Sequence, residues 1–150
     1  MMILRKLTNM IFASAAISAV SSLATVIMMN SAYAAELTIN VNEIEGNDGY
    51  ILVALFSGEE SYTSGKSKWS SRVKVANNQE KVTFSALPDG EYAVKLFHDE
   101  NDNKKLDMNM LGIPSESYGF SNNKGRFGQP SYQEAKFTVT NTTDIEINLM

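Results

Sequence analysis

The chain has 150 residues, with 13 Lys or Arg against 17 Asp or Glu, a formal net charge of −4 and no cysteine. Its acidity argues against a nucleic-acid partner, whose phosphates demand a basic surface. Without thiols there are no disulfide staples, and one histidine is too few for an ordinary zinc site.

The N-terminus reads first as a targeting segment. Arg5 and Lys6 precede the apolar run IFASAAISAVSSLATVIMM, and Ala32 and Ala34 in SAYA satisfy an AxA cleavage rule. The run is close to the ~20 residues that a membrane span requires, but its Ser and Ala content and the AxA site favour cleavage over anchoring. Residues 1–34 are therefore expected to be a signal peptide and residues 35–150 a single exported domain, periplasmic or secreted, with no membrane span after cleavage. Cleavage removes two basic residues and no acidic one, which takes the net charge from −4 to −6.

The mature part alternates. ELTINVNEI places Leu37, Ile39 and Val41 on one face and Thr38, Asn40 and Asn42 on the other, the period of a strand. After an EGNDG turn, Tyr50–Phe56 (YILVALF) is a continuous apolar run of strand length, expected to be central and covered on both faces. The Ser- and Gly-rich SGEESYTSGKSKWSSR lacks a period and is read as a loop, with Trp69 folding back over an open end of the core. Val73 and Val75, then Val82 and Phe84, alternate around an Asn77-Asn78 pair suited to a hairpin turn. LPDGEYAVKLFHD opens a further strand with Tyr92, Val94 and Leu96 on one side and Ala93, Lys95 and Phe97 on the other. AKFTVT and DIEINLM close the pattern, turning at Asn141-Thr142. The expectation is an all-β fold: one antiparallel seven-stranded β-sandwich, transthyretin-like or immunoglobulin-like in its Greek key, with one long ordered loop.

That loop is the polar excursion from His98 to Pro130. In its first half Asp99, Asn101, Asn103 and Asp107 stand at relative positions 1, 3, 5 and 9, the spacing at which alternate side chains of a tight loop converge on calcium. The backbone carbonyl of Lys105, at position 7, would supply another oxygen. Position 6 is Lys104 instead of glycine and position 12 is Met110 instead of an acid, so a closing carboxylate has to come from elsewhere, and Glu116 is the nearest. Calcium held this way belongs to the weak class, roughly 10⁻⁴ to 10⁻³ M. The competing reading is a turn-rich loop in which Asn and Asp bond their own backbone.

The second half, LGIPSESYGFSNNKGRFGQPSY, interleaves glycines with aromatics. It is expected either to fold over the domain or to offer Tyr118, Phe120 and Phe127 to an envelope protein, a peptide or a glycan. His98 is expected to hydrogen-bond backbone at the root of the excursion. A hydrolase or other small-molecule enzyme centred on His98, with Asp99 and Ser115, Ser117 or Ser121, is the alternative, and no local motif supports it. The primary expectation is a non-enzymatic binding or structural module.

The stretch LPDGEYAVKLFHDENDNKKLDMNMLGIPSESYGFSNN, followed by FGQPSYQEAKF, resembles an exported bacterial family, domain of unknown function 2141. The pattern runs from a Pro-Gly turn and a Tyr-Ala strand through a HDEN-type loop and a Gly-Ile-Pro step to Tyr-Gly-Phe-Ser-Asn. At Lys104 this chain departs from the glycine of the family pattern. The resemblance implies a signal peptide and a compact β-domain, and it brings no established activity. The LPDGEY turn is also similar to that of transthyretin-like and carboxypeptidase-regulatory-like sandwiches, and the Asp99–Asp107 spacing to the calcium loops of surface-adhesin repeats. Neither likeness transfers a function.

Overall fold

The computed structural model describes residues 34–150; apart from Ala34, the segment read as a signal peptide lies outside the described residues. The fold is mostly β, with strands β1 (Ala35–Asn42), β2 (Tyr50–Ser57), β3 (Trp69–Lys74), β4 (Glu80–Leu87), β5 (Gly90–Asp99), β6 (Tyr118–Phe120), β7 (Phe137–Val139) and β8 (Thr142–Asn148). They form two sheets, one of order β4-β1-β8 and one of order β3-β2-β5-β6 in which β7 also pairs with β5. Two short helices, α1 (Glu59–Ser64) and α2 (Tyr132–Ala135), accompany the second sheet.

The alternation predicts the inner faces. Leu37, Ile39 and Val41 of β1, Ile51, Val53 and Leu55 of β2, Val82 and Phe84 of β4, and Tyr92, Val94 and Leu96 of β5 share one core between the sheets. Each fully buried aliphatic or aromatic side chain contributes about 1.5–3 kcal/mol, so this layer supplies most of the driving force for folding. Trp69 is not a lid; it sits in β3, partly buried against this core, with its ring 5.6 Å from that of Tyr92.

Further expectations need correction. Among the described residues there are eight strands, not seven, because Tyr118–Phe120 forms a short edge strand inside the excursion, pairing Lys95 with Phe120 and Phe97 with Tyr118; three residues are too few for a periodic signal. The fold is not wholly antiparallel, since β1 and β8 run parallel from Glu36–Thr142 to Asn42–Asn148. Period two fixes which face of a strand is buried and carries no information on its direction. The Asn77-Asn78 segment is not a hairpin turn, because β3 and β4 lie in different sheets and the chain passes from one layer to the other there. The stretch after Ser57 is not all loop; α1 forms there, closed at Gly65 with φ 71.

The outer face of β2 and β5 is covered at one end only. Phe56, Tyr62, Ala93, Tyr132 and Ala135 make a second, smaller core in which α1 and α2 pack on the sheet. Tyr62 donates its hydroxyl to Pro130 C=O at 3.1 Å, and Ser131 and Glu134 form a reciprocal capping box at the start of α2. Burial, and then the nearby Glu134 carboxylate, push the Tyr62 hydroxyl up to about 12, so it remains a donor throughout the physiological range. Leu52 and Ala54, further along β2, are only half-buried.

Gly49 leads into β2 at φ +77, and a Cβ there would lie 2.2 Å from the carbonyl oxygen of Asp99. Gly46, at φ +79, faces open space. Gly46→Ala is expected to cost about 1–2 kcal/mol, the strain of the left-handed region alone. Gly49→Ala should cost about 1–3 kcal/mol more, because the root of the excursion has to move. Urea denaturation of the two variants beside the parent measures the difference, and equal losses would contradict the close approach.

Candidate functional site

The excursion leaves the sheet at the end of β5, where inward and outward side chains do different work. His98 points into the core at 1% exposure. Its Nε2–H donates to Asp48 C=O at 2.7 Å, and its backbone N–H donates to Ser117 C=O at 2.8 Å. The histidine thus ties the turn before β2 and the segment entering β6 to one point, and its Nδ1 has no hydrogen-bond partner among the described residues. Ser121, one of the serines considered with it, accepts from Val94 N–H and donates to Ala135 C=O.

Asp99 is fully buried on the opposite face. Its two carboxylate oxygens accept the N–H groups of Asn103 at 3.0 Å and Lys104 at 2.9 Å, which folds the next five residues into a tight turn. Glu116, 7% exposed, returns from the other side; its oxygens accept Glu100 N–H at 3.1 Å and Asp107 N–H at 3.0 Å. Hydrogen bonds to a charged acceptor contribute about 1.5–3 kcal/mol each. These four replace the apolar core that so polar a segment cannot supply. Asp107 then gathers the side-chain amides, Asn101 Nδ2 at 2.6 Å and Asn103 Nδ2 at 2.9 Å, while Asn101 and Asn103 use their own Oδ1 atoms on Asn103 N–H and Lys105 N–H.

Asp99, Asn101, Asn103, Asp107 and Glu116 therefore meet in one hydrogen-bonded knot. Among the described residues no group of three or more His, Cys, Asp or Glu side chains is disposed to hold a metal ion; the knot combines carboxylates with amides and backbone. Lys104, at the position where the loop pattern has glycine, adopts φ 64. A left-handed lysine costs about 1–2 kcal/mol relative to glycine, so the chain retains a strained residue there.

Beyond the knot, Asp107 C=O accepts Ser115 N–H at 2.8 Å, and Asn109 Oδ1 accepts the N–H groups of Leu111 and Ile113. This small tip exposes Met110 and Leu111. The chain then re-enters the sheet at β6, where Gly119 allows close approach to Ile147 of β8, since a Cβ would lie 2.7 Å from its Cγ2.

Between the knot and the helices, the uncovered outer face of the five-stranded sheet is the floor of a groove of about 640 Å³. Leu52, Ala54, Phe97 and Lys95 lie along it, with Phe56, Tyr118 and Phe120 beside them and Lys104 and Leu106 from the excursion. Arg72 of β3 also reaches it; its guanidinium stacks 3.1 Å over the Tyr50 ring and pairs with Asp102 of the excursion. Lys95 Nζ donates to Tyr62 C=O at 2.8 Å and Gln129 Oε1 at 2.9 Å, and lies 4.1 Å from the centroid of the Tyr62 ring. Burial holds its ammonium below the ordinary lysine range.

Of the aromatics singled out in the sequence, Tyr118 and Phe120 line this groove. Phe127 is fully exposed and borders a separate hollow with Lys124, Arg126 and Glu134. Sequence reasoning missed Leu52, Lys95, Phe97 and Arg72. Their signal was the YILVALF run, apolar on both faces, opposite a β5 whose outer face mixes Ala93 and Phe97 with one lysine.

Comparison with known proteins shows that the family model described as "Uncharacterized protein conserved in bacteria (DUF2141)" matches residues 39–147. No curated protein and no solved structure matches the chain.

Replacing Glu116 by alanine leaves the N–H groups of Glu100 and Asp107 without their acceptors, at about 1–3 kcal/mol each. Trypsin cleavage at Lys104 and Lys105 is expected to accelerate at least about tenfold in Glu116→Ala, whereas the exposed Glu100→Gln should leave it unchanged. Equal protection of Lys104 in parent and Glu116→Ala would contradict the role of the clip. In urea denaturation Lys104→Gly should raise overall stability by up to about 1–2 kcal/mol through relief of the left-handed strain, and no gain would contradict that strain.

Proposed function

The chain belongs to DUF2141, a family of uncharacterised proteins conserved in bacteria, and we propose that it is an exported, non-enzymatic sandwich-type binding module acting in the periplasm or outside the cell. The single observation that carries this reading is the groove on the outer face of the five-stranded sheet, floored by Leu52, Ala54 and Phe97 and walled by the excursion. Ligand sites are concave, mostly apolar and furnished with a few polar groups that fix orientation. Export is supported by the layout of residues 1–34: two basic residues, an apolar run and the AxA site.

In this reading the groove faces a small ligand or the end of an envelope peptide or glycan, and Tyr118 and Phe120 contact it. Calcium is proposed as the ion that stiffens the wall. It would draw on Asp99, Asn101, Asn103, Asp107, Glu116 and the carbonyl of Lys105. Asn101 and Asn103 now aim their amide nitrogens at Asp107; a half-turn of each amide would present oxygen to a cation there, with loss of the Oδ1 bonds to Asn103 N–H and Lys105 N–H.

Two measurements test the proposal separately. The neutral fluorophore N-phenyl-1-naphthylamine should brighten on the folded protein, and Ala54→Phe, which fills the groove floor, should abolish the signal; no uptake by the parent would refute the groove as a binding site. With a dissociation constant of roughly 10⁻⁴ to 10⁻³ M, 10 mM calcium should stabilise the protein by about 1.4–2.7 kcal/mol. The shift should be absent in Asp107→Ala and reversed by a chelator. An unchanged unfolding curve at 10 mM would remove calcium from the account.

A further inference from the structure

The charges of the groove have one sign. Arg72, Lys95 and Lys104 line it and no acidic side chain does, although Asp and Glu outnumber Lys and Arg in the chain by 17 to 13. Arg72 is answered by Asp102. Lys95 is answered only by neutral oxygens, those of Tyr62 and Gln129, and by the ring faces of Tyr62 and Phe56 at 4.1 and 4.9 Å. Two of its three ammonium protons are engaged, and no acceptor among the described residues takes the third. A partly desolvated cation without a counter-charge is unfavourable, and burial already moves its titration downward. Lys104 adds a second charge from a left-handed backbone position, φ 64.

We propose that the groove takes an amphipathic anion: a small molecule with an apolar body and a single carboxylate-type head, the body on Leu52, Ala54 and Phe97 and the head against Lys95, with Lys104 adding to the positive field. The inference rests on the groove being the binding site and adds the chemistry of what it holds. A volume of about 640 Å³ lies within the range of roughly 300–1,000 Å³ that suits such ligands. The apolar floor gives a bare inorganic anion nothing to rest on, and the few polar groups would leave most hydroxyls of a sugar unpaired.

Isothermal titration of the purified protein with decanoate, 2-naphthoate, decanol, decyltrimethylammonium and acetate reads the preference directly. Decanoate or 2-naphthoate should bind at least about tenfold more tightly than decanol, with decyltrimethylammonium weaker still and acetate not detected. Which of the two anions binds better tells an acyl from an aromatic body. Lys95→Gln should lower the affinity for the anion to that for decanol without changing decanol itself, and Lys95→Arg should keep the preference. Decanol binding as tightly as decanoate, or an anion preference that survives Lys95→Gln, would overturn the inference while N-phenyl-1-naphthylamine uptake still upheld the groove. Loss of that uptake as well would overturn both readings. If Lys95→Gln fails to fold, the ratio of decanoate to decanol on the parent protein decides alone.

Discussion

Two carboxylates that accept backbone N–H groups are the constraint on which the rest depends. Asp99 turns the chain as it leaves β5, and Glu116 clips the turn shut by holding the amides of Glu100 and Asp107. The segment they order has few buried apolar side chains, so the hydrophobic effect that holds the two sheets together gives it little. Charge-assisted hydrogen bonds substitute, and they are stronger here because Asp99 is fully buried and Glu116 nearly so. His98 adds the third fixed point, its inward-facing ring donating to Asp48 C=O and its backbone N–H to Ser117 C=O.

From that order comes the shape of the outer face. The helices cover the sheet near Phe56 and Ala93, the ordered excursion brings Lys104 and Leu106 to the other side, and the floor between is left open. A loose excursion would leave Leu52 and Phe97 on a flat surface, and a fully packed one would bury them. The intermediate arrangement is a groove with cations and no acid, and both the proposed binding role and the proposed ligand chemistry follow from it. The pairing of Asp102 with Arg72 on β3 links the wall to the far edge of the sheet, although a pair this exposed contributes only about 0–1 kcal/mol.

What could be read in the sequence divides along physical lines. Strand positions and their inward faces were legible because burial imposes a period of two on Leu37, Ile39 and Val41 and on Tyr92, Val94 and Leu96. The family was legible because its longest signature lies in the excursion itself. Strand direction, the passage between sheets at Asn77-Asn78 and the three-residue β6 were not, since each depends on long-range pairing that leaves no local pattern. The convergence of Asp99, Asn101, Asn103, Asp107 and Glu116 was anticipated from spacing, and the competing reading, Asn and Asp bonding their own backbone, describes the N–H groups that Asp99, Asn101 and Asn103 hold; the side-chain amides gathered by Asp107 and the N–H groups of Glu100 and Asp107 held by Glu116 left no sequence pattern. The groove was hidden for a different reason: an apolar outer face on β2 reads equally well as a covered one, and only the extent of α1 and α2 decides between them.

The central claim, that carboxylate–amide hydrogen bonds order the excursion, is most directly tested by amide hydrogen exchange. The account predicts that the N–H groups of Glu100, Asn103, Lys104 and Asp107 exchange slowly, within about tenfold of His98 N–H in β5, although all four residues lie outside the regular strands. Exchange of these four amides at the rate of an unstructured peptide, with His98 still protected, would contradict it.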